Sequence, residues 1–221
     1  DVNGDGLLDI YVCNSGDVAG DKKRNELFIN NGNLTFTESA SEYGLDDPSF
    51  STHASFFDYD VDGDLDVYIV NNSFKDPTRI DFKNVRDIRE PSGGDKLMRN
   101  DGNVFTDVSE VAGIYGSSIG FGLGVSTSDM NNDGYPDLYI SNDFWERDYL
   151  YINQQDGTFK EVITEQTKHT SKFSMGVDMA DINNDGWADM MSLDMMPYDP
   201  VILKSSMGEN EYKVYNFKLI F

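Results

Sequence analysis

Short apolar runs recur along the whole chain, separated by stretches rich in Gly, Asn and Asp. Runs of this length, bounded by turn residues, predict β-strands rather than long helices. They fall into three kinds. The first is "LFIN", "LMRN" and "LYIN", starting at Leu27, Leu97 and Leu150. Each is followed by a Gly-containing turn and a second run led by Phe36, Phe105 or Phe159. Strand, turn and strand make a β-hairpin. The second kind is "HASFF", "GVSTS" and "GVDMA" (His53–Phe57, Gly124–Ser128, Gly176–Ala180), whose small residues suit a crowded inner strand. The third is "DIYV", "DVYIV", "DLYIS" and "DMMSL", where β-formers follow Asp9, Asp66, Asp137 and Asp189. The methionines make the last of these the weakest strand signal.

The spacing binds these runs into a repeat. From the hairpin Leu to the first Asp of the next acidic stretch is 31, 32 and 31 residues. From the first Asp of a loop (Asp1, Asp58, Asp129) to the next hairpin Leu is 26, 39 and 21, so the variable part is the connection. Four antiparallel strands per repeat predict an all-β fold, a β-propeller whose blades bury their faces against one another. The expected division is a blade end at 1–14, blades over about 25–72, 95–142 and 148–195, and a further element at 205–221. The tail "NEYKVYNFKLIF" is apolar enough to want a neighbour. Asp1 carries neither an initiator Met nor a leader pattern, so the chain is expected to be a piece of a longer protein.

Between the second and third kinds of run lies the pattern D-x-[DN]-x-[DN]-G-x-x-D, four times over: "DVNGDGLLD", "DYDVDGDLD", "DMNNDGYPD" and "DINNDGWAD". A run of like charge repels itself unless something gathers it. Calcium takes six to eight hard oxygens, and a glycine at position 6 permits the sharp turn around it. The expected ligands are side chains at positions 1, 3, 5 and 9 with the carbonyl of position 7. They are Asp1, Asn3, Asp5, Leu7 and Asp9; then Asp58, Asp60, Asp62, Asp64 and Asp66. The third and fourth sets are Asp129, Asn131, Asp133, Tyr135 and Asp137, and Asp181, Asn183, Asp185, Trp187 and Asp189. An EF-hand is excluded, because position 12 is Val12, Ile69, Ile140 or Ser192 rather than Glu and the flanks are strand-like. Up to four Ca²⁺ are expected, the second loop holding its ion most tightly because it alone has Asp at position 3.

The net charge of −23 argues against nucleic acid and anionic membrane surfaces as partners. No apolar run reaches the roughly 18 residues of a membrane helix. Cys13 is alone, so no internal disulfide forms; it reads as a half-buried small apolar residue. The longest connection, Ser73–Asp95, carries Lys75, Arg79, Lys83, Arg86 and Arg89. It reads either as a binding loop or as a solvated insertion whose bases pair locally with Asp76, Asp81, Asp87 and Glu90. Trp145 reads as inter-blade packing or a stacking platform, and His53 as a structural, at least partly buried histidine. No Ser-His-Asp, Cys-His, Walker or zinc pattern is present.

The stretches "FDYDVDGDLDVYIVNN" and "GFGLGVSTSDMNNDGYPDLYISND" resemble the FG-GAP or VCBS repeat, the calcium-loaded propeller of integrin α-subunits. The nearest branch by resemblance is that of cartilage-acidic-protein-like bacterial surface proteins, often associated with an ASPIC/UnbV domain. The resemblance runs from Asp1 to about Pro197. It implies an incomplete part of a roughly seven-bladed ring, completed by further blades of the parent chain or by a partner chain. It implies a non-catalytic module at the bacterial cell surface, outer-membrane-associated, that recognises protein or glycan. The alternative it leaves is a calcium-dependent polysaccharide lyase or another glycan-degrading surface enzyme.

Overall fold

The computed structural model describes residues 1–16, 24–73, 84–144, 146–195 and 199–202. The element expected at 205–221, Trp145, and the side chains of Lys75, Asp76, Arg79, Asp81 and Lys83 lie outside these residues. Thirteen strands are described, with two helices of four residues, α1 (Ala40–Tyr43) and α2 (Ile163–Gln166), and helical residues at 200–202. The protein is all-β.

The strands form antiparallel sheets. β1 (Ile10–Val12), β2 (Glu26–Asn30) and β3 (Phe36–Glu38) make the first, in that order. β4 (Ser51–Phe57), β5 (Asp66–Asn71), β6 (Lys96–Asn100) and β7 (Phe105–Asp107) make the second. β8 (Gly122–Ser128), β9 (Asp137–Asn142), β10 (Tyr149–Asn153) and β11 (Phe159–Glu161) make the third. β12 (Ser174–Ala180) pairs with β13 (Asp189–Asp194). The sheet is therefore offset from the sequence repeat. A repeat read from its hairpin ends on the loop and the following strand, but those two strands hydrogen-bond to the next hairpin, not the previous one. The physical reason is register: Tyr68 of β5 pairs with Leu97 of β6, as Tyr139 pairs with Leu150 and Tyr11 with Leu27. The variable connection thus lies within a sheet.

Successive sheets pack face to face around apolar cores. One holds Leu27, Leu45, Val67, Ile69 and Phe105; the next holds Tyr68, Val70, Leu97, Leu138, Ile140 and Tyr151. β8 lies against both β4 and β12, so the inner strands run side by side. Their small residues are needed there. A Cβ on Gly122 would sit 2.1 Å from Val70 Cγ1, and one on Gly124 would sit 3.2 Å from Gly176 Cα. Each inner strand carries the same register slip, at Ser51/His53, Gly122/Gly124 and Ser174/Gly176. His53 is exposed rather than buried, and its Nδ1 accepts the Val125 N–H at 3.2 Å. It spans two inner strands.

A tyrosine fixes each of the three hairpins to the strand beside it, buried in the second and third. Tyr68 donates to Asp95 Oδ2 at 3.0 Å and Tyr139 to Asp148 Oδ2 at 2.6 Å, while the same carboxylates accept the Asn71 and Asn142 N–H groups. In the first repeat Asn25 stands in the aspartate's place: its Nδ2 donates to the Tyr11 hydroxyl and its Oδ1 accepts the Asn14 N–H. Burial pushes the Asp95 carboxyl up to about 7. A folded-state value above the unfolded one means that Asp95 contributes most to stability below about pH 4. That contribution falls away as the pH rises toward 7. Asp95→Asn, which copies Asn25, is expected to remove that slope and to gain stability relative to the parent above pH 7, on the order of a few kcal/mol. Urea unfolding of both proteins from pH 4 to 8 checks it. Parallel curves would mean that Asp95 is ionised throughout.

Candidate metal centre

Three of the acidic loops join an inner strand to its second strand (β4 to β5, β8 to β9 and β12 to β13), the first leads into β1, and all four are built alike. Position 1 accepts two backbone N–H groups, those of positions 5 and 6. Asp58 takes Asp62 and Gly63 at 3.1 and 3.0 Å; Asp1, Asp129 and Asp181 do the same in their own loops. Position 5 accepts the N–H of position 7, which holds the backbone at Leu7, Asp64, Tyr135 and Trp187. Position 6 is glycine with φ between 85° and 102°, the left-handed region that glycine adopts most easily. Position 4 is left-handed too, as Gly4, Val61, Asn132 and Asn184. Val61, at φ 61°, is the branched member of that set and carries strain of order 1–3 kcal/mol.

Position 9 has a role the sequence did not reveal. In the second loop Asp66 is fully buried; its Oδ2 accepts the Tyr59 N–H at 3.0 Å and its Oδ1 the Asn100 N–H at 2.8 Å. Asp9 bridges Val2 and Asn30 in the same way, and Asp137 bridges Met130 and Asn153. Asp189 accepts the Ile182 N–H in the fourth loop. The aspartate pins its own loop to the adjacent hairpin. The asparagine it holds is the one that follows the hairpin Leu by three, and that side chain reaches back to Leu8 O, Leu65 O or Pro136 O. The fixed Leu-to-Asn spacing was the available signal; its meaning required the fold.

The four loops are not equal as cation sites. Among the described residues, one set of three carboxylates brings ligand atoms within 4.8 Å of one another: Asp58, Asp60 and Asp66. Asp60 Oδ1 is buried and has no hydrogen-bond partner. Asp64 Oδ1 is in the same condition, so position 7 of this loop presents a carboxylate beside its carbonyl. Burial first, and the neighbouring Asp62 next, push the Asp60 and Asp64 carboxyls up; burial takes Asp66 to about 7. These carboxylates are concentrated at one place, and their donors are hard oxygens, the kind that calcium takes. In the first and third loops the position-3 amide is turned into the loop instead. Asn3 and Asn131 donate Nδ2 to Asp5 and Asp133 at 2.9 Å. Gln155 adds a bond to Asp133 and holds its carboxyl below the usual range. Asp181, Asn183, Asp185 and Trp187 of the fourth loop are exposed, and the Gly186 carbonyl accepts from Asn132 of the third.

The two described basic residues of the long connection, Arg86 and Arg89, make contacts beyond it. Arg86 reaches Glu146 across the fold at 2.8 Å, with side chains 8% and 0% exposed. Arg89 donates to the carbonyls of Asp95 and Ile114 at 2.8 and 2.7 Å, and its guanidinium fills the space where Gly116 lacks a Cβ. Both arginines hold the connection in place, so neither is the exposed binding charge that the sequence allowed. No helix among the described residues is long and apolar enough to cross a membrane.

No curated protein matches the chain. Among solved structures it is similar to a rhamnogalacturonan lyase of family PL11 from Bacillus licheniformis and to the exotype rhamnogalacturonan lyase YesX. Identity is 16% to each; the TM-scores are 0.38 and 0.37, over 86% and 88% of this chain. The chain spans 42% and 41% of those two structures. The sequence profile of the FG-GAP-like repeat matches residues 1–69 and 129–192, which takes in all four acidic loops. The chain belongs to the FG-GAP-like repeat family.

Proposed function

We propose that the chain is part of a calcium-loaded β-propeller that serves as a non-catalytic recognition or scaffold module for protein or glycan partners at the bacterial cell surface. One observation carries the calcium reading: Asp58, Asp60 and Asp66 converge, and the Asp60 Oδ1 atom is buried without a partner. The ion would be held in each loop by positions 1, 3, 5 and 9 with the carbonyl of position 7. Four ions would take the formal charge from −23 to −15 and relieve repulsion that opposes the compact state. The side-by-side inner strands and face-packed sheets support the propeller. The calcium demand and the family support an extracellular or outer-membrane location, where the ion is plentiful. The rigid loops leave the ion's ligands committed to architecture, which favours recognition over chemistry.

Calorimetric titration of calcium into metal-stripped protein tests the reading, with melting curves in calcium and in excess chelator. An ion that binds only the folded loops raises stability by about 2.7 kcal/mol at a hundredfold excess over Kd. The chelated protein is therefore expected to melt several degrees lower. Asp60→Asn gives position 3 of the second loop the residue of the others and is expected to weaken its ion while leaving the fold intact. Identical melting curves after confirmed metal removal would overturn the calcium reading. Calcium-dependent cleavage of polyuronates with release of unsaturated products would replace the recognition role with the lyase alternative.

A further inference from the structure

One buried chain of hydrogen bonds joins position 9 of the second loop to position 9 of the third. Asp66 Oδ2 accepts the Tyr59 N–H at 3.0 Å. The Tyr59 carbonyl accepts the Asn153 side-chain amide at 2.7 Å. The Asn153 backbone N–H donates to Asp137 Oδ1 at 2.8 Å, and Asp137 Oδ2 accepts the Met130 N–H. Asp66 and Asp137 are fully buried, and Tyr59 and Asn153 are 3% exposed. Tyr59 is also held through its ring, which packs on Phe159 of β11 with 6.0 Å between centroids. Position 2 of the second loop is therefore fixed to the third sheet by both backbone and side chain. The interface between the first two sheets is the internal control. Val2 occupies position 2 there and shares a core with Phe105. Asn100, the equivalent of Asn153, instead donates its side-chain amide to the Leu65 carbonyl in its own sheet. The bond from Asn153 Nδ2 to Tyr59 O distinguishes the two interfaces.

We propose that Asn153 couples the second and third cation sites, so that filling either one tightens the other. The inference rests on the calcium reading of the loops. The empty second loop crowds the carboxylates of Asp58, Asp60 and Asp62, whose repulsion works to open it. When they are gathered around a cation, Asp66, Tyr59 and the carbonyl that Asn153 meets are fixed with them. Asn153 is held in turn by Asp137, which closes the third loop. Ordering one end of this chain of bonds leaves less freedom to be lost at the other end, which is positive coupling. The bond lies in the interior, where a stranded carbonyl is costly, so neither loop opens without loading the other. Asn132 of the third loop also donates to the Gly186 carbonyl of the fourth, but that bond is exposed and water can replace it. Asn153 is a positioning residue, and its effect passes through Asp66 and Asp137.

Calcium titration of the metal-stripped 221-residue chain, followed by amide NMR, resolves the sites. The Gly6, Gly63 and Gly134 N–H groups each donate to position 1 of their own loop, so each reports on one site. Asp129→Ala disables the third site and is expected to raise the calcium concentration at the Gly63 midpoint by at least about fivefold. Asp58→Ala disables the second site and is expected to shift the Gly134 midpoint by the same factor, because coupling is reciprocal. The Gly6 midpoint is expected to stay in place in both. In the background of Asn153→Leu, which removes the donor at similar size, both shifts are expected to shrink below about twofold. Where the leucine variant does not fold, Asn153→Ser, with its shorter side chain, takes its place. A Gly63 midpoint indifferent to Asp129→Ala, unequal shifts from the two disabling variants, or shifts that survive the loss of Asn153 would overturn the coupling and leave the calcium reading standing. Glycine peaks that ignore calcium altogether would overturn both.

Discussion

Glu146→Ala is expected to lower stability by about 3–5 kcal/mol, the loss seen when one partner of a buried ion pair is removed. At this chain length that is roughly 6–20 °C in Tm. Glu146 lies in the connection between β9 and β10 and is 3% exposed; Arg86 lies in the connection between β5 and β6. Their 2.8 Å contact ties two connections that the sequence separates by 60 residues. Burial pulls the Arg86 guanidinium down and Glu146 more than offsets it, so the arginine stays charged. Truncating Glu146 leaves that charge in a low-dielectric site without its carboxylate. The same carboxylate oxygen also accepts the Arg147 N–H at 2.7 Å, which adds to the loss. Replacing both members with apolar residues of similar size, Arg86→Met with Glu146→Leu, is expected to cost much less than the single truncation. Chemical denaturation of the two singles and the double closes the cycle. A double variant as unstable as Glu146→Ala would mean that the loss comes from packing rather than from the stranded charge.

The repeat was legible because it is written in local chemistry. The turn glycines, the alternating strands and the nine-residue acidic pattern each follow from residues close together in sequence. The strands fall where those patterns put them: Phe36, Phe105 and Phe159 each open the second strand of a hairpin. The sheet boundary was not legible, because which hairpin a second strand joins depends on register across a connection of variable length. Nor was the bridging function of His53, which depends on the neighbouring inner strand. Arg86 shows the limit most plainly. Its buried partner Glu146 lies 60 residues away, where nothing in the local sequence points to it. At the acidic loops the residue types were legible but their division of labour was not, because it lies in long-range bonds such as Asp66 to Asn100.

That division of labour separates two substitutions that look alike on paper. Asp66→Asn keeps the shape of the side chain but replaces one carboxylate oxygen with a donor. Both oxygens of Asp66 accept buried backbone N–H groups, from Tyr59 and from Asn100. The amide can serve one and must face the other with its own N–H, while Asp66→Ala leaves both unsatisfied. A buried polar group stranded in this way costs about 1–3 kcal/mol. The expected loss is therefore of that order for Asn and about twice that for Ala, in chelator as well as in calcium. Asp60→Asn behaves oppositely. Its buried Oδ1 has no partner to lose, and the substitution removes a charge beside Asp58 and Asp62. In chelator it is expected to leave stability unchanged or slightly raised; in calcium it is expected to forfeit part of the ion's stabilisation. Denaturation of both variants with and without calcium gives four values. If Asp66→Asn matches the parent in chelator, position 9 holds the ion alone. The hairpin is then anchored to the loop by Asn100, whose side-chain bond to the Leu65 carbonyl at 3.2 Å would have to carry the junction unaided.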